Sequence, residues 1–81
     1  MQLTLYSRPG CHLCDEMRYQ LKTLVPDLEL AIVDIEADPQ LEQRFGIRIP
    51  VLCQNEDIIA EGRLDEADFL DFLAGIAKKA P

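Results

Sequence analysis

Apolar residues recur along this chain at two periods, and the switches between them mark the elements. Leu3 to Tyr6 (LTLY) is a short β-type run that begins almost at the first residue. From Cys11 to Val25 the period lengthens. Leu13, Met17, Leu21 and Leu24 fall three or four positions apart, on one face of an amphipathic helix, and Pro26-Asp27 ends it. Leu28 to Ile35 (LELAIVDI) is β-rich and mostly apolar, the pattern of a strand covered on both faces. Asp38-Pro39 reads as a helix start, with the Asp as N-cap and the Pro in the first turn. Leu41 and Phe45 then share a face, and Gly46 is expected to stop that helix. Ile49 to Gln54 (IPVLCQ) and Asp57 to Glu61 (DIIAE) form a hairpin about a tight turn at Asn55-Glu56. Asp65 caps the last helix. Its apolar stripe is Phe69, Leu70, Leu73, Ile76 and Ala77, and it frays into the final KKAP.

The predicted order is β-α-β-α-β-β-α. Strand, crossover helix and strand make a parallel βαβ unit, with a right-handed crossover favoured. The hairpin adds antiparallel strands. The fold class is therefore α/β: a sandwich with a four-stranded mixed sheet covered by helices, in one domain spanning residues 1–81. In such sheets chemistry collects beyond the carboxyl ends of parallel strands. Cys11 lies just past the end of the first strand.

Composition narrows the function classes. Eighty-one residues allow one domain, and a chain this short buries only about 60–65% of its unfolded surface. Apolar residues are 48% of the chain, enough for a core and too many for disorder. The formal charge of −7 opposes a nucleic-acid or anionic-membrane partner. No apolar run reaches membrane-spanning length. The opening MQLTLYS lacks a basic segment followed by a long apolar one, so a cytoplasmic location is expected. Three cysteines do not suit a secreted disulfide framework, and in a reducing compartment a CxxC is more often redox-active or metal-binding than structural.

The chemistry concentrates in YSRPGCHLCDEM, Tyr6 to Met17. A thiol reacts as thiolate, which a helix N-terminus favours through its unpaired N–H groups and dipole. On a regular helix, Cβ atoms three positions apart are about 5–6 Å from each other. A disulfide wants roughly 3.5–4.5 Å, so Cys11 should sit slightly outside the helix, where Pro9-Gly10 lets the chain enter. Cys11 then reads as attacking nucleophile and Cys14, more buried, as resolving thiol. Asp15 and Glu16 steady the helix start but repel a thiolate. Other readings stay open. The pair can be two unconnected thiols. A structural zinc site needs four ligands, but only Cys53 and His12 remain, and His12 lies between the two cysteines; no metal site is expected. An iron–sulfur cluster bridged between two subunits needs fewer ligands per chain.

YSRPGCHLC resembles the glutaredoxin segment in which a Tyr-Ser-Lys strand end leads into Cys-Pro-Tyr-Cys. FGIRIPVL resembles the thioredoxin-superfamily segment that carries a cis-proline, here Ile49-Pro50. AEGRLDEADFLDFL resembles the glutaredoxin stretch with a Gly-Gly pair, an Asp and the last helix. The resemblance covers nearly the whole chain and implies a thioredoxin-like sandwich. It also implies substrate-binding positions. Arg8 stands where the family carries a Lys, Ile49 would offer main-chain groups to an extended substrate, Pro50 would be cis, and Gly62 and Asp65 match family residues. The departures are His12-Leu13 between the cysteines and Glu61 in place of the first Gly of the pair. In glutaredoxins that region accepts the γ-glutamyl end of glutathione, so Glu61 is expected to oppose it.

Several of these residues have plainer roles as well. Asp65 suits a helix cap. Arg48 is a solvated charge or an anion-steering residue. His12 is an exposed first-turn residue or a modulator of the thiolate. Cys53, inside a strand, packs as a small apolar residue, and Tyr6 packs at a strand end. The resemblance implies a thiol–disulfide oxidoreductase with no bound cofactor. Cys11 would attack a protein disulfide or a glutathione mixed disulfide, and electrons would return from glutathione as co-substrate or from a thioredoxin-type reductase. A monomer is expected. The alternative is a thioredoxin-fold binding module, non-catalytic or cluster-binding.

Overall fold

The computed structural model describes residues 1–79, with side chains through Ile76. The Ala77 side chain and the Ala80-Pro81 end of the expected fray lie outside the described residues. The elements are β1 (Gln2–Ser7), α1 (His12–Leu24), β2 (Glu29–Asp34), a 3₁₀ turn (Ile35–Ala37), α2 (Pro39–Phe45), β3 (Val51–Gln54), β4 (Asp57–Glu61) and α3 (Glu66–Lys79). This is the α/β order read from the sequence, with boundaries shifted by a residue or two.

The four strands lie in the order β2-β1-β3-β4. β1 and β2 run parallel, from Gln2 opposite Glu29 to Ser7 opposite Asp34. β3 is antiparallel to both β1 and β4. The hairpin turns at Asn55-Glu56, where Asn55 takes a positive φ of 55°, a conformation Asn tolerates better than most residues.

Alternation along the central strands divides the core in two. Leu3, Leu5 and Leu52 face Met17 and Leu21 of α1 and Phe69 of α3, with Leu28 and Leu64 closing the edges. Val51 and Cys53 face the other way, onto Phe45 of α2 and Ile35, with Tyr6, Leu41 and Ile49 packed alongside. Each layer is built around a fully buried aromatic, Phe69 in the first and Phe45 in the second. Burying an aromatic of this kind contributes on the order of 1.5–3 kcal/mol.

Three expectations need correction. Leu13 is not on the buried face of α1. It is 38% exposed, and Cys14 takes the inward place in register with Met17 and Leu21. Leu70 is likewise outside the core, 48% exposed, because Phe69, Phe72 and Leu73 fill the inward face of α3. β2 is not covered on both faces. It is an edge strand, and Ile32, in register with Leu5 on the α1 face of the sheet, is left 42% exposed at that edge. In addition, Gly46 follows α2 in right-handed conformation (φ −50°) rather than as a left-handed cap. β3 starts at Val51, after Pro50, which has no N–H to give the ladder.

No helix among the described residues is long and apolar enough to cross a membrane.

Candidate active site

The two cysteines of the CxxC segment are joined in a disulfide, with Cα atoms 5.2 Å apart. Cys11 is the N-cap of α1 and lies just outside it, in extended conformation (φ −80°, ψ 108°). Gly10 makes this entry available with φ 77°, a region that glycine occupies without a Cβ penalty. The Cys11 N–H closes the turn on the Arg8 carbonyl at 3.3 Å. The Cys14 N–H donates to the Cys11 sulfur at 3.1 Å. Sulfur thus takes the part that a Ser or Asp oxygen plays at an ordinary N-cap. The same donor and the helix dipole would steady a thiolate on Cys11. Cys14 is buried, and Cys11 is partly accessible. His12, Asp15 and Glu16 are exposed around the first turn.

Strand register brings two further segments to the disulfide end of the sheet. Tyr6 pairs with Val51, so Pro50 lies beside the carboxyl end of β1, where the chain departs for Cys11. Val51 pairs with Glu61, so Gly62 reaches Pro50, and its N–H donates to the Pro50 carbonyl at 2.8 Å. Gly62 has φ 72°, which again favours glycine. The Ile49–Pro50 peptide bond is cis. A narrow groove of ≈ 150 Å³ runs between Leu13, Glu16 and Met17 on one side and Gly62, Arg63 and Leu64 on the other.

Comparisons with known proteins place the chain in a family and a fold. Residues 2–74 match the model of the glutaredoxin-like domain family (DUF836). The chain belongs to that family. Among solved structures it is similar to Ne2328 from Nitrosomonas europaea, with 33% identity over 88% of each chain and a TM-score of 0.77. It is also similar to XcR50 from X. campestris, with 32% identity over 98% of this chain and 99% of that one and a TM-score of 0.76. Reduced glutaredoxin from Escherichia coli shares the fold, at 22% identity over 96% of this chain and 99% of that one, with a TM-score of 0.54. No match was found among curated proteins. The fold is the thioredoxin-like α/β fold, and a Cys11–Cys14 pair occupies a glutaredoxin-like frame.

Within this family member the polar residues singled out from the sequence pair up in unexpected ways. Glu61 is not a free carboxylate. Arg48 grips it with two donors, Nε to Oε2 at 3.0 Å and Nη2 to Oε1. The hydrogen bonds from Arg48 hold the Glu61 carboxyl below its ordinary range, and the Glu61 carboxylate in turn raises Arg48. Arg8 turns its guanidinium onto the end of α2. Its Nη2 donates to the Gly46 carbonyl at 2.8 Å and lies 3.8 Å from Glu42, a favourable place for a cation beside unpaired helix carbonyls. The Ile49 N–H donates to the Phe45 carbonyl at 3.1 Å, so the donor that the resemblance offers to a substrate is engaged within the chain. Asp65 caps α3 by accepting from the Asp68 N–H at 2.9 Å.

Cys53 is buried, free and distant in sequence from the pair. Burial pushes its thiol up, opposed by the nearby Arg44 and Arg48 charges. Among the described residues no group of three or more His, Cys, Asp and Glu side chains is placed to hold a metal ion.

Sequence reasoning missed Phe45 as the platform of this region. Tyr6 stacks on it at 4.7 Å between ring centroids, and the guanidinium groups of Arg44 and Arg48 lie over its ring at 4.7 and 5.6 Å. The signal was present as two arginines one turn apart, following and preceding an aromatic. Arg8's partners, Glu42 and Gly46, left no such pattern.

Proposed function

We propose that this protein is a thiol–disulfide oxidoreductase in which Cys11 is the nucleophile and Cys14 the resolving thiol. The observation that carries the reading is the placement of the bonded pair. The accessible sulfur caps a helix and accepts its N–H at 3.1 Å, while its partner is buried one turn later.

In the reduced protein the Cys11 thiolate attacks one sulfur of a substrate disulfide. A Cys11–substrate bond forms, the substrate's sulfur–sulfur bond breaks, and the other half leaves as thiolate. Cys14 then loses its proton to solvent and attacks the Cys11 sulfur. The mixed disulfide breaks, the second substrate thiolate leaves, and the Cys11–Cys14 bond closes. Two electrons have passed from the dithiol to the substrate. They return from glutathione or from a thioredoxin-type reductase.

The substrate class is a protein disulfide or a glutathione mixed disulfide, and the protein acts as a monomer in a reducing, cytoplasmic setting. No bound cofactor takes part in these steps. The test is steady-state reduction of a protein disulfide and of a glutathionylated peptide, with either glutathione and its reductase or thioredoxin reductase supplying electrons. Turnover with one of these donors, lost in Cys11→Ser, is the expected result. Absence of turnover with both would overturn the reading.

A further inference from the structure

Arg48 and Glu61 form a two-point ion pair at the disulfide end of the sheet, and its two halves are held very unequally. Arg48 has other attachments. Its guanidinium lies over the Phe45 ring at 5.6 Å, and Nη1 donates to the Arg44 carbonyl at 3.5 Å. Phe45 is fully buried and stacked on Tyr6, so Arg48 rests against the core. Glu61, the last residue of β4, has among the described residues no side-chain hydrogen-bond partner other than Arg48. Both side chains are open to solvent, 36% and 40% exposed.

Such a pair is exchangeable. An exposed ion pair is worth little by itself, while a guanidinium binds any carboxylate with the same fork geometry. If a carboxylate arrives from outside, Arg48 stays in place and Glu61 swings away. The location gives this a use. Arg48 precedes Ile49-Pro50, and Glu61 precedes Gly62, whose N–H is bonded to the Pro50 carbonyl. The pair therefore flanks the Pro50 segment, beside the strand end that leads to Cys11.

We infer that Arg48 is a specificity-determining receptor for a carboxylate carried near the sulfur of a substrate, and that Glu61 is its built-in competitor. The inference deepens the oxidoreductase reading and rests on it for what the carboxylate is attached to. Glu61 thus sets the selectivity between anionic and neutral disulfides through occupancy of Arg48. A free carboxylate at this position would act by repulsion alone. The two cases differ in what Arg48 contributes once Glu61 is neutral.

S-methylglutathione carries carboxylates but cannot exchange disulfides, so it probes the receptor without turnover. Its binding to the disulfide form is read from the amide shifts of Arg48 and Gly62 in Glu61→Gln, in Arg48→Met and in the double variant. Glu61→Gln should tighten binding about two- to fivefold, the size of one exposed charge pair. Adding Arg48→Met should remove the gain. The same ordering is expected in the ratio of kcat/KM for a glutathione mixed disulfide to that for neutral hydroxyethyl disulfide. Equal affinity in all four proteins overturns the inference, as does a gain in Glu61→Gln that persists in the double variant, which would mean repulsion alone. Failure of every protein to turn over hydroxyethyl disulfide would count against the oxidoreductase reading, and the binding series would still decide on the receptor.

Discussion

The Cys14 N–H points at the Cys11 sulfur across 3.1 Å, and Cys11 is half-buried where Cys14 is buried. In the reduced protein this geometry favours a thiolate on Cys11 and leaves Cys14 and Cys53 inside. Cys11 should therefore alkylate first, by about tenfold or more over the other two at neutral pH. Cys53 should be slowest, since burial raises its thiol. Mass-spectrometric timing of iodoacetamide labelling checks this. Comparable rates at Cys11 and Cys14 would remove the assignment of nucleophile and resolving thiol.

Phe45 supports the loop that carries Arg48 and Pro50 from below. It is 1% exposed and stacks on Tyr6. Truncation of a buried phenylalanine costs about 3–5 kcal/mol, a large share of the stability of a small domain. Phe45→Ala should lower the urea midpoint accordingly, while Tyr19→Ala, on the exposed face of α1, should change it little. Equal effects would mean that α2 does not close the second core.

The Arg48–Glu61 pair has a defined pH response. The folded-state pKa of Glu61 lies below the ordinary value of 4.5. The pair's contribution is thus fully present above that ordinary value and is lost as pH falls through the lowered one. Between pH 7 and 5 nothing should change. A ¹³C titration of the Glu61 carboxyl should find its midpoint below that of an unpaired glutamate, and Arg48→Met should return it upward. A midpoint unmoved by Arg48→Met would show that the pair does not persist in solution.

Arg8 joins the end of β1 to the end of α2 through the Gly46 carbonyl and Glu42. Its side chain is 31% exposed, so the hydrogen bond is partly screened. Arg8→Met, which keeps the stem, should cost about 1 kcal/mol by chemical denaturation. No loss of stability would mean that the contact with Gly46 is incidental.

Much of this molecule is legible in its sequence because the strong signals are local. Cys11 as N-cap, the Asn55-Glu56 turn and the caps at Asp38 and Asp65 all follow from one residue and its neighbours. The misreadings at Leu13, Leu70 and Ile32 share a cause. Periodicity finds an apolar stripe, but which edge of it is buried depends on the helix or sheet opposite. Ile32 shares the α1 face with Leu5, but it sits on the edge strand and stays 42% exposed. The pairings of Arg48 with Glu61 and of Arg8 with Gly46 join residues 13 and 38 positions apart. No spacing rule carries that information, because strand register and the path of the loop before β3 create it.

Trapping the reaction at its midpoint tests the oxidoreductase reading most directly. In Cys14→Ser the resolving thiol is gone, so the first exchange should stop at a mixed disulfide. Incubated with a glutathionylated peptide and analysed by mass spectrometry, reduced Cys14→Ser should accumulate one adduct, located on Cys11. Cys11→Ser should accumulate none, and the unaltered protein should return to the Cys11–Cys14 disulfide. An adduct on Cys14 or Cys53 instead, or no adduct with any variant, would contradict the assignment and leave the pair as a structural link in a binding module.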